Sequence, residues 1–229
     1  MKVAIITIFP EMFTGIFDFG IIRVSRDAGR AEIEVINLRD FAYDRHRTVD
    51  DRPYGGGEGM VLKPEPIFEG VEFVERRWAT KARRVLLSPQ GTPFCQQKAR
   101  QLAEANFLIL ICGRYEGVDQ RVVDHLIDEE ISVGDFIVSG GEIPAMLVTD
   151  AIVRLLPGAT GSPASVVNES FTGELLDYPH YTRPARFRNW AVPDVLMSGD
   201  HRRIDHWRRE QARERTRRKR PDLLKEKLG

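Results

Sequence analysis

Apolar runs over residues 3–8, 33–38, 85–87, 107–112 and 131–138 alternate with stretches whose apolar positions recur at helical spacing. Short continuous apolar runs read as strands buried on both faces. Their alternation with helices predicts an α/β fold with a parallel sheet covered on both sides. The first helix is expected from Pro10, a favoured first-turn residue, with Met12, Phe13, Ile16 and Phe17 on its inner face. Another is expected over 66–74, and a third over 93–105 with Cys95, Ala99 and Leu102 inward, Cys95 serving as a small buried hydrophobe. Residues 142–156 are apolar nearly all round, so this helix must be enclosed by the sheet or by a second subunit, and a homodimer interface is one expectation. Residues 159–173 carry few signs of regular structure and read as a mobile linker or lid. Short helices are then expected over 194–197, 201–216 and 222–228, with Ile204, Trp207, Leu223 and Leu224 as their buried side.

The chain has 229 residues and 42% hydrophobic content, enough for one large domain or for a large domain with a small appendage. No apolar stretch reaches the roughly 18 residues of a membrane span, and the first strand runs directly into Phe9-Pro10-Glu11 without a cleavage signal. Cys95 and Cys112 fit neither a metal spacing nor a disulfide framework. These features lead to the expectation of a soluble cytoplasmic protein with no membrane partner. The net charge of zero conceals an asymmetry. Residues 183–229 hold fifteen Lys and Arg against seven Asp and Glu, or +8, and the preceding residues hold nineteen against twenty-seven, or −8. A basic module of this kind fits either a nucleic-acid partner or a solvated, salt-bridged helix over the run that holds Arg208, Arg209, Arg213, Arg217 and Arg218, and composition alone does not choose.

Three glycine-punctuated turns lie at or near the ends of apolar runs: Ser88-Pro89-Gln90-Gly91, Gly113-Arg114-Tyr115-Glu116-Gly117, and the segment from Gly134 to Glu142. In an open parallel sheet, ligands bind beyond the carboxyl ends of the strands, where such turns collect. One turn of this kind is ordinary in an α/β domain, whereas three between residues 88 and 142 favour a ligand site. The segment Gly55-Gly56-Gly57-Glu58-Gly59-Met60 is glycine-dense but follows no predicted strand, and Pro64 and Pro66 argue against a long helix directly after it, so it is not read as a dinucleotide fingerprint. A phosphate-binding loop ending in Gly-Lys-Ser/Thr, a zinc-protease helix motif and a serine-hydrolase elbow are all absent from the sequence.

Five segments in order carry a resemblance: Asp51-Arg52-Pro53-Tyr54-Gly55-Gly56-Gly57, Ser88-Pro89-Gln90-Gly91, Cys112-Gly113-Arg114-Tyr115-Glu116-Gly117-Val118-Asp119, residues 131–142, and Pro179-His180-Tyr181-Thr182-Arg183-Pro184. With the tail around His201–Arg208 and Arg220-Pro221-Asp222-Leu223-Leu224, they resemble the bacterial tRNA (guanine-N(1)-)-methyltransferases over nearly the whole chain. The resemblance implies a SPOUT fold: a parallel sheet flanked by helices with a deep trefoil knot, plus a small all-helical C-terminal domain, assembled as a homodimer. It implies residues 1–160 as the methyltransferase domain, 161–173 as a flexible linker and 174–229 as a basic tRNA-binding domain. It further implies that S-adenosylmethionine sits bent in the knot turns, and that the substrate is the anticodon stem-loop of tRNA. The family methylates N1 of the guanine on the 3′ side of the anticodon, which helps maintain the reading frame.

Carried over residue by residue, the resemblance assigns the cofactor to Leu87, Ser88, Pro89, Gly113, Tyr115, Glu116, Gly117, Ile131, Ser132, Val133, Gly134, Gly140, Gly141 and Pro144. It assigns Gly59, Glu116, His180, Arg183, Arg202, Arg203 and Arg208 to tRNA, with Glu116 either bonding guanine or helping to place a Mg²⁺; no dedicated metal-ligand set is assigned. Displacement at a sulfonium needs no acid for its leaving group, so the protein must position the reactants and take a proton from guanine. Glu169 is expected as that base and Arg154 as the group that stabilises charge on the guanine carbonyl. An i,i+4 ion pair with Asp150 would account for Arg154 without chemistry. Better-known members carry Asp-Ser-Phe where this chain has Glu169-Ser170-Phe171, so the carboxylate is one methylene longer here. Two rival readings are a SPOUT methyltransferase acting on another RNA base or ribose, and an RNA-binding protein without catalysis; the presence of both Arg154 and Glu169 favours catalysis.

Overall fold

Unbroken apolar runs become strands because a strand covered on both faces has no polar side to show. In the computed structural model, which describes residues 1–160 and 169–224, the chain divides into two compact units, Met1–Thr160 and Gly161–Gly229. The first carries β1 (Lys2–Thr7), β2 (Glu32–Asn37), a two-residue antiparallel pair β3 (Asp50–Asp51) and β4 (Val61–Leu62), then β5 (Arg83–Pro93), β6 (Phe107–Cys112) and β7 (Glu129–Ser132). Five of these form one sheet in the order β2-β1-β6-β5-β7, with every pairing parallel. Successive side chains point to opposite faces. Val3, Ile5, Leu108 and Leu110 therefore join one core while Ala4, Ile6, Ile109 and Ile111 join the other.

The first core is closed by α1 (Gly20–Asp27) through Ile22, by α3 (Gln96–Ala103) through Ala99 and Leu102, and by α5 (Glu142–Val153) through Ala145, Val148, Ile152 and Val153. The second is closed by α2 (Pro64–Trp78) through Ile67, Val71 and Val74, and by α4 (Gln120–His125) through Val122. Each large aliphatic side chain fully buried in these layers contributes roughly 1.5–3 kcal/mol, so layering on both faces fixes the sheet and the loops that leave its carboxyl edge.

Several expected elements are redrawn. From Pro10 the chain makes only a 3₁₀ turn, Pro10–Phe13; Phe13 and Phe17 enter the core and stack 5.8 Å apart, but Met12 and Ile16 stay exposed. Gly15, at φ 82°, interrupts the run, and α1 begins only at Gly20. The expectation that Pro64 and Pro66 preclude a long helix is wrong: α2 starts at Pro64 and runs 15 residues, because first-turn prolines lack only N–H groups that would have no intrahelical partner. Pro93 still belongs to β5, and Cys95 is an exposed N-cap residue of α3 rather than a core residue. The strand expected over 131–138 ends at Ser132, and Phe136 and Ile137 lie exposed on the loop that follows Gly134.

In the second unit β8 (Arg186–Phe187) and β9 (Trp190–Ala191) form a small hairpin, followed by α6 (Asp194–Met197) and α7 (His201–Lys219). Asp200 caps α7, accepting a hydrogen bond from the Arg203 N–H. Ile204, Ala212 and Thr216 form its buried stripe, and the Thr216 hydroxyl accepts from Leu176 N–H at 2.9 Å. Trp207 is half-buried, with its ring 6.4 Å from Tyr181. A 3₁₀ turn, Pro221–Leu224, replaces the start of the expected 222–228 helix, and Leu224 is exposed rather than buried. Residues 161–168 of the expected linker, and 225–228 of that helix, lie outside the described residues.

Candidate active site

The three glycine turns converge beyond the carboxyl ends of β6 and β7 and at the break in β5 after Leu87. Between Leu87 and Thr92, both opposite Ile131 in the register with β7, the chain makes a four-residue excursion, Ser88-Pro89-Gln90-Gly91. A Cβ on Gly91 would overlap the Ile131 backbone, so this loop can return to the sheet only through a glycine. Gly141 is constrained in the same way although its φ is an ordinary −74°. A Cβ there would stand 2.6 Å from Cys112 Cα and 2.9 Å from Gly113 N, and the Gly141 N–H instead donates to Gly113 C=O at 2.8 Å. The loops therefore pack backbone against backbone.

Together they enclose a cleft of about 390 Å³. All fourteen residues expected at the cofactor line it: Leu87, Ser88, Pro89, Gly113, Tyr115, Glu116, Gly117, Ile131, Ser132, Val133, Gly134, Gly140, Gly141 and Pro144. Leu86, Gln90, Arg114, Val118, Phe136, Ile137 and Val138 also line it and were not assigned to the cofactor from sequence. The mixture suits a ligand with one apolar ring and several polar groups: aliphatic walls, small residues, and loop hydroxyls and amides.

The cleft wall is braced by an ion pair. Glu142, in the first turn of α5, is fully buried; Thr7 donates its hydroxyl to one carboxylate oxygen at 2.7 Å and Arg114 Nε donates to the other at 2.9 Å. The guanidinium also lies over the Phe9 ring, 4.6 Å from its centroid. This bracket ties the end of β1, the turn after β6 and the start of α5 together. A negative charge at a helix N-terminus is also favoured by the aligned peptide dipoles. Beneath it, the Cys112 thiol is pushed well above its ordinary range, first by burial and then by the Glu142 charge, so it is a packing group.

Tyr115 adopts φ 59° at the apex of its turn, and Gly117 N–H donates back to Arg114 C=O at 2.9 Å. Its phenol is pushed above its ordinary value, first by partial burial and then by the Asp50 carboxylate, so it stays protonated at neutral pH. The segment around Gly59 runs along the same turn: Glu116 N–H donates to Met60 C=O at 3.0 Å and Leu62 N–H to Gly117 C=O at 3.0 Å. A Cβ on Gly59, at φ 89°, would meet the Glu116 carboxylate at 2.5 Å, so Gly59 lies directly against the Glu116 side chain.

Arg154 is not brought to this cleft within the chain. It is the C-cap of α5, ten residues beyond Pro144, about 15 Å along the helix at 1.5 Å per residue. Gly158, four residues on, lies against Arg30, which precedes β2 at the opposite edge of the sheet. Glu169 belongs to the second unit, where its C=O accepts from Thr172 N–H at 3.2 Å. There, His180 Nε2 lies 2.8 Å from Asp177 Oδ2, while Arg183, Arg202 and Arg203 are exposed. Arg208 pairs with Asp205 at 3.5 Å and stacks over Tyr178, so much of its role is structural. Arg213 and Arg217 also pair three residues back along α7, with Glu210 and Glu214. The salt-bridged reading therefore describes part of this helix, and the exposed guanidinium groups of Arg202 and Arg203 lie outside it. Among the described residues no three His, Cys, Asp or Glu side chains assemble into a metal-binding group, and no helix is long and apolar enough to cross a membrane.

A family model described as "tRNA (Guanine-1)-methyltransferase TrmD" matches residues 1–226. Proteins called tRNA (guanine-N(1)-)-methyltransferase from Bacillus cereus (strain AH820), Bacillus anthracis (strain A0248) and Bacillus thuringiensis subsp. konkukian (strain 97-27) are each 51% identical over 227 residues, covering 99% of this chain and 93% of theirs.

Proposed function

The chain belongs to the tRNA (guanine-1)-methyltransferase family, and on that premise we propose that it methylates ring N1 of the guanine on the 3′ side of the tRNA anticodon, with S-adenosylmethionine as donor and Glu169 as base. The observation that carries this reading is the convergence of fourteen expected residues on one 390 Å³ cleft at the carboxyl edge of the sheet. S-adenosylmethionine, bound there, supplies the methyl group. Loop backbone, Ser88 and Ser132 would hold polar parts of the donor, and Leu87, Ile131 and Pro144 would hold its apolar ring.

Transfer to N1 breaks the donor's sulfur–methyl bond and leaves a neutral thioether; the N1 proton would pass to the Glu169 carboxylate, and a guanidinium at the guanine carbonyl would stabilise the charge that gathers there. The position of Arg154 at the far end of α5 supports a homodimer in which that group comes from the other chain. On α5 the exposed Ile143 and Leu147 share one helical face with Asp150 and Arg154, at spacings of four, seven and eleven residues. Two such faces packed antiparallel about a two-fold axis would bury both leucines and set the partner subunit's Arg154 beside the Gly141 end of α5.

Mass spectrometry of anticodon-loop fragments after incubation with S-adenosylmethionine tests the reading. One added methyl is expected on the 3′-flanking guanine and none on a transcript lacking it; methylation elsewhere would overturn the assignment. Glu169→Gln should lower the single-turnover rate by about 100-fold or more with tRNA and donor saturating, the usual scale of general-base catalysis. A full rate would remove Glu169 as the base.

A further inference from the structure

The hairpin β8–β9 holds two aromatic rings in water. Phe187 and Trp190 are cross-strand partners, so their side chains share a face; the rings lie 6.1 Å apart at 41° and are 58% and 65% exposed. Buried rings dominate the energetics of cores and interfaces, and these two stay more than half exposed. Arg188 forms the turn with φ 53°, an uncommon conformation for a residue with a side chain, and its guanidinium lies over both rings, 5.4 and 5.8 Å from their centroids. Between His180 and Asp194 the sequence has three arginines, Arg183, Arg186 and Arg188, and no carboxylate. None of the three forms an ion pair among the described residues, in contrast to the paired arginines of α7.

We propose that this hairpin is a stacking platform for an unpaired base of the tRNA, with Arg183, Arg186 and Arg188 on the phosphates beside it. The inference rests on the tRNA reading above. Flat π faces stack on any base and unpaired guanidinium groups neutralise the backbone, the combination by which proteins hold single-stranded loops. A protein surface would have to provide carboxylates for three clustered cations, whereas RNA carries a phosphate beside every base. On this proposal the hairpin is a positioning element that holds the tRNA and takes no part in the chemistry.

The test uses the full chain and labelled tRNA. Trp190→Leu, which keeps apolar bulk but loses the π face, should weaken tRNA affinity by about 5- to 100-fold, the scale of one stacked base, while Trp190→Phe keeps most of it. The Trp190→Leu loss should fall on KM for tRNA, with the single-turnover rate at saturating tRNA, the calorimetric affinity for S-adenosylmethionine and the circular dichroism unchanged. Binding of tRNA should quench tryptophan fluorescence in the wild type and much less in Trp190→Phe. Joint replacement of Arg186 and Arg188 by Gln should flatten the slope of log affinity against log salt by about 1.4, for two phosphate contacts on a single strand; this readout stands even where Trp190→Leu fails to fold. Wild-type affinity in Trp190→Leu, an unchanged salt slope, or a change of oligomeric state in light scattering overturns the inference alone. A wild type that binds no tRNA overturns the parent reading and this inference with it.

Discussion

A carboxylate wholly removed from water is tolerated when its oxygens are bonded, and Glu142 satisfies both through Thr7 and Arg114. Asp119 is the contrasting case, near the surface, capping α4 through the Arg121 N–H at 2.9 Å and gripped by the Arg121 guanidinium at 2.8 Å. Its carboxyl is held below the usual range, chiefly by the Arg121 side chain and despite some desolvation. Because the folded value is the depressed one, this stabilisation is complete above an unfolded value near 3.9 and disappears as pH falls through the folded value. Asp119→Asn keeps a capping oxygen and loses the ion pair, so we expect it to lower stability at pH 7 by less than about 1 kcal/mol. The gap in urea midpoint between the two proteins should close as pH is taken below 3; an equal gap at both pH values would contradict the assignment.

Among the elements, α5 does most to shape the cleft, because its N-terminus is drawn onto β6 until only hydrogen fits at Gly141. Gly141→Ala would push backbone against backbone. We expect it to cost about 1–3 kcal/mol, as overpacking does elsewhere, and to lower affinity for S-adenosylmethionine by at least about 10-fold. Thermal denaturation and calorimetry would check both, and unchanged donor affinity would mean that this approach does not shape the site. Much of this level was legible beforehand. Continuous apolar runs announced β1 and β6, and glycines at residues 91, 113, 117 and 141 marked the turns that meet at the cleft. Element boundaries were less legible. Met12 and Ile16 suggested a helix face that Gly15 interrupts, and Pro64 looked like a barrier although it opens α2. In the first case one left-handed glycine broke the helical spacing; in the second, the first-turn position removed the penalty that proline carries inside a helix. The Phe187 and Trp190 pair escaped notice for a related reason, since exposure cannot be read from an aromatic residue alone.

For the molecule as a whole, the separation of Arg154 from the cleft makes a prediction about assembly. If the guanidinium serves the partner's cleft, mixing Arg154→Ala chains with Gly141→Trp chains, each inactive alone, should restore about a quarter of wild-type methylation after subunit exchange. Half of the random dimers are mixed, and each mixed dimer has one complete site of two. No recovery in the exchanged sample, with mixed dimers verified by native mass spectrometry, would rule out Arg154 serving the partner's cleft. The chain alone establishes composition, strand periodicity, the glycine turns and the family resemblance, because these are local patterns that survive without coordinates. Packing had to supply the rest: that Glu142 bonds Thr7 and Arg114 across 135 and 28 residues, that Gly141 is needed for space rather than for φ, and that Arg154 and Pro144 lie at opposite ends of one helix. Contacts between distant residues follow from how layers stack, and stacking is a property of all the elements at once.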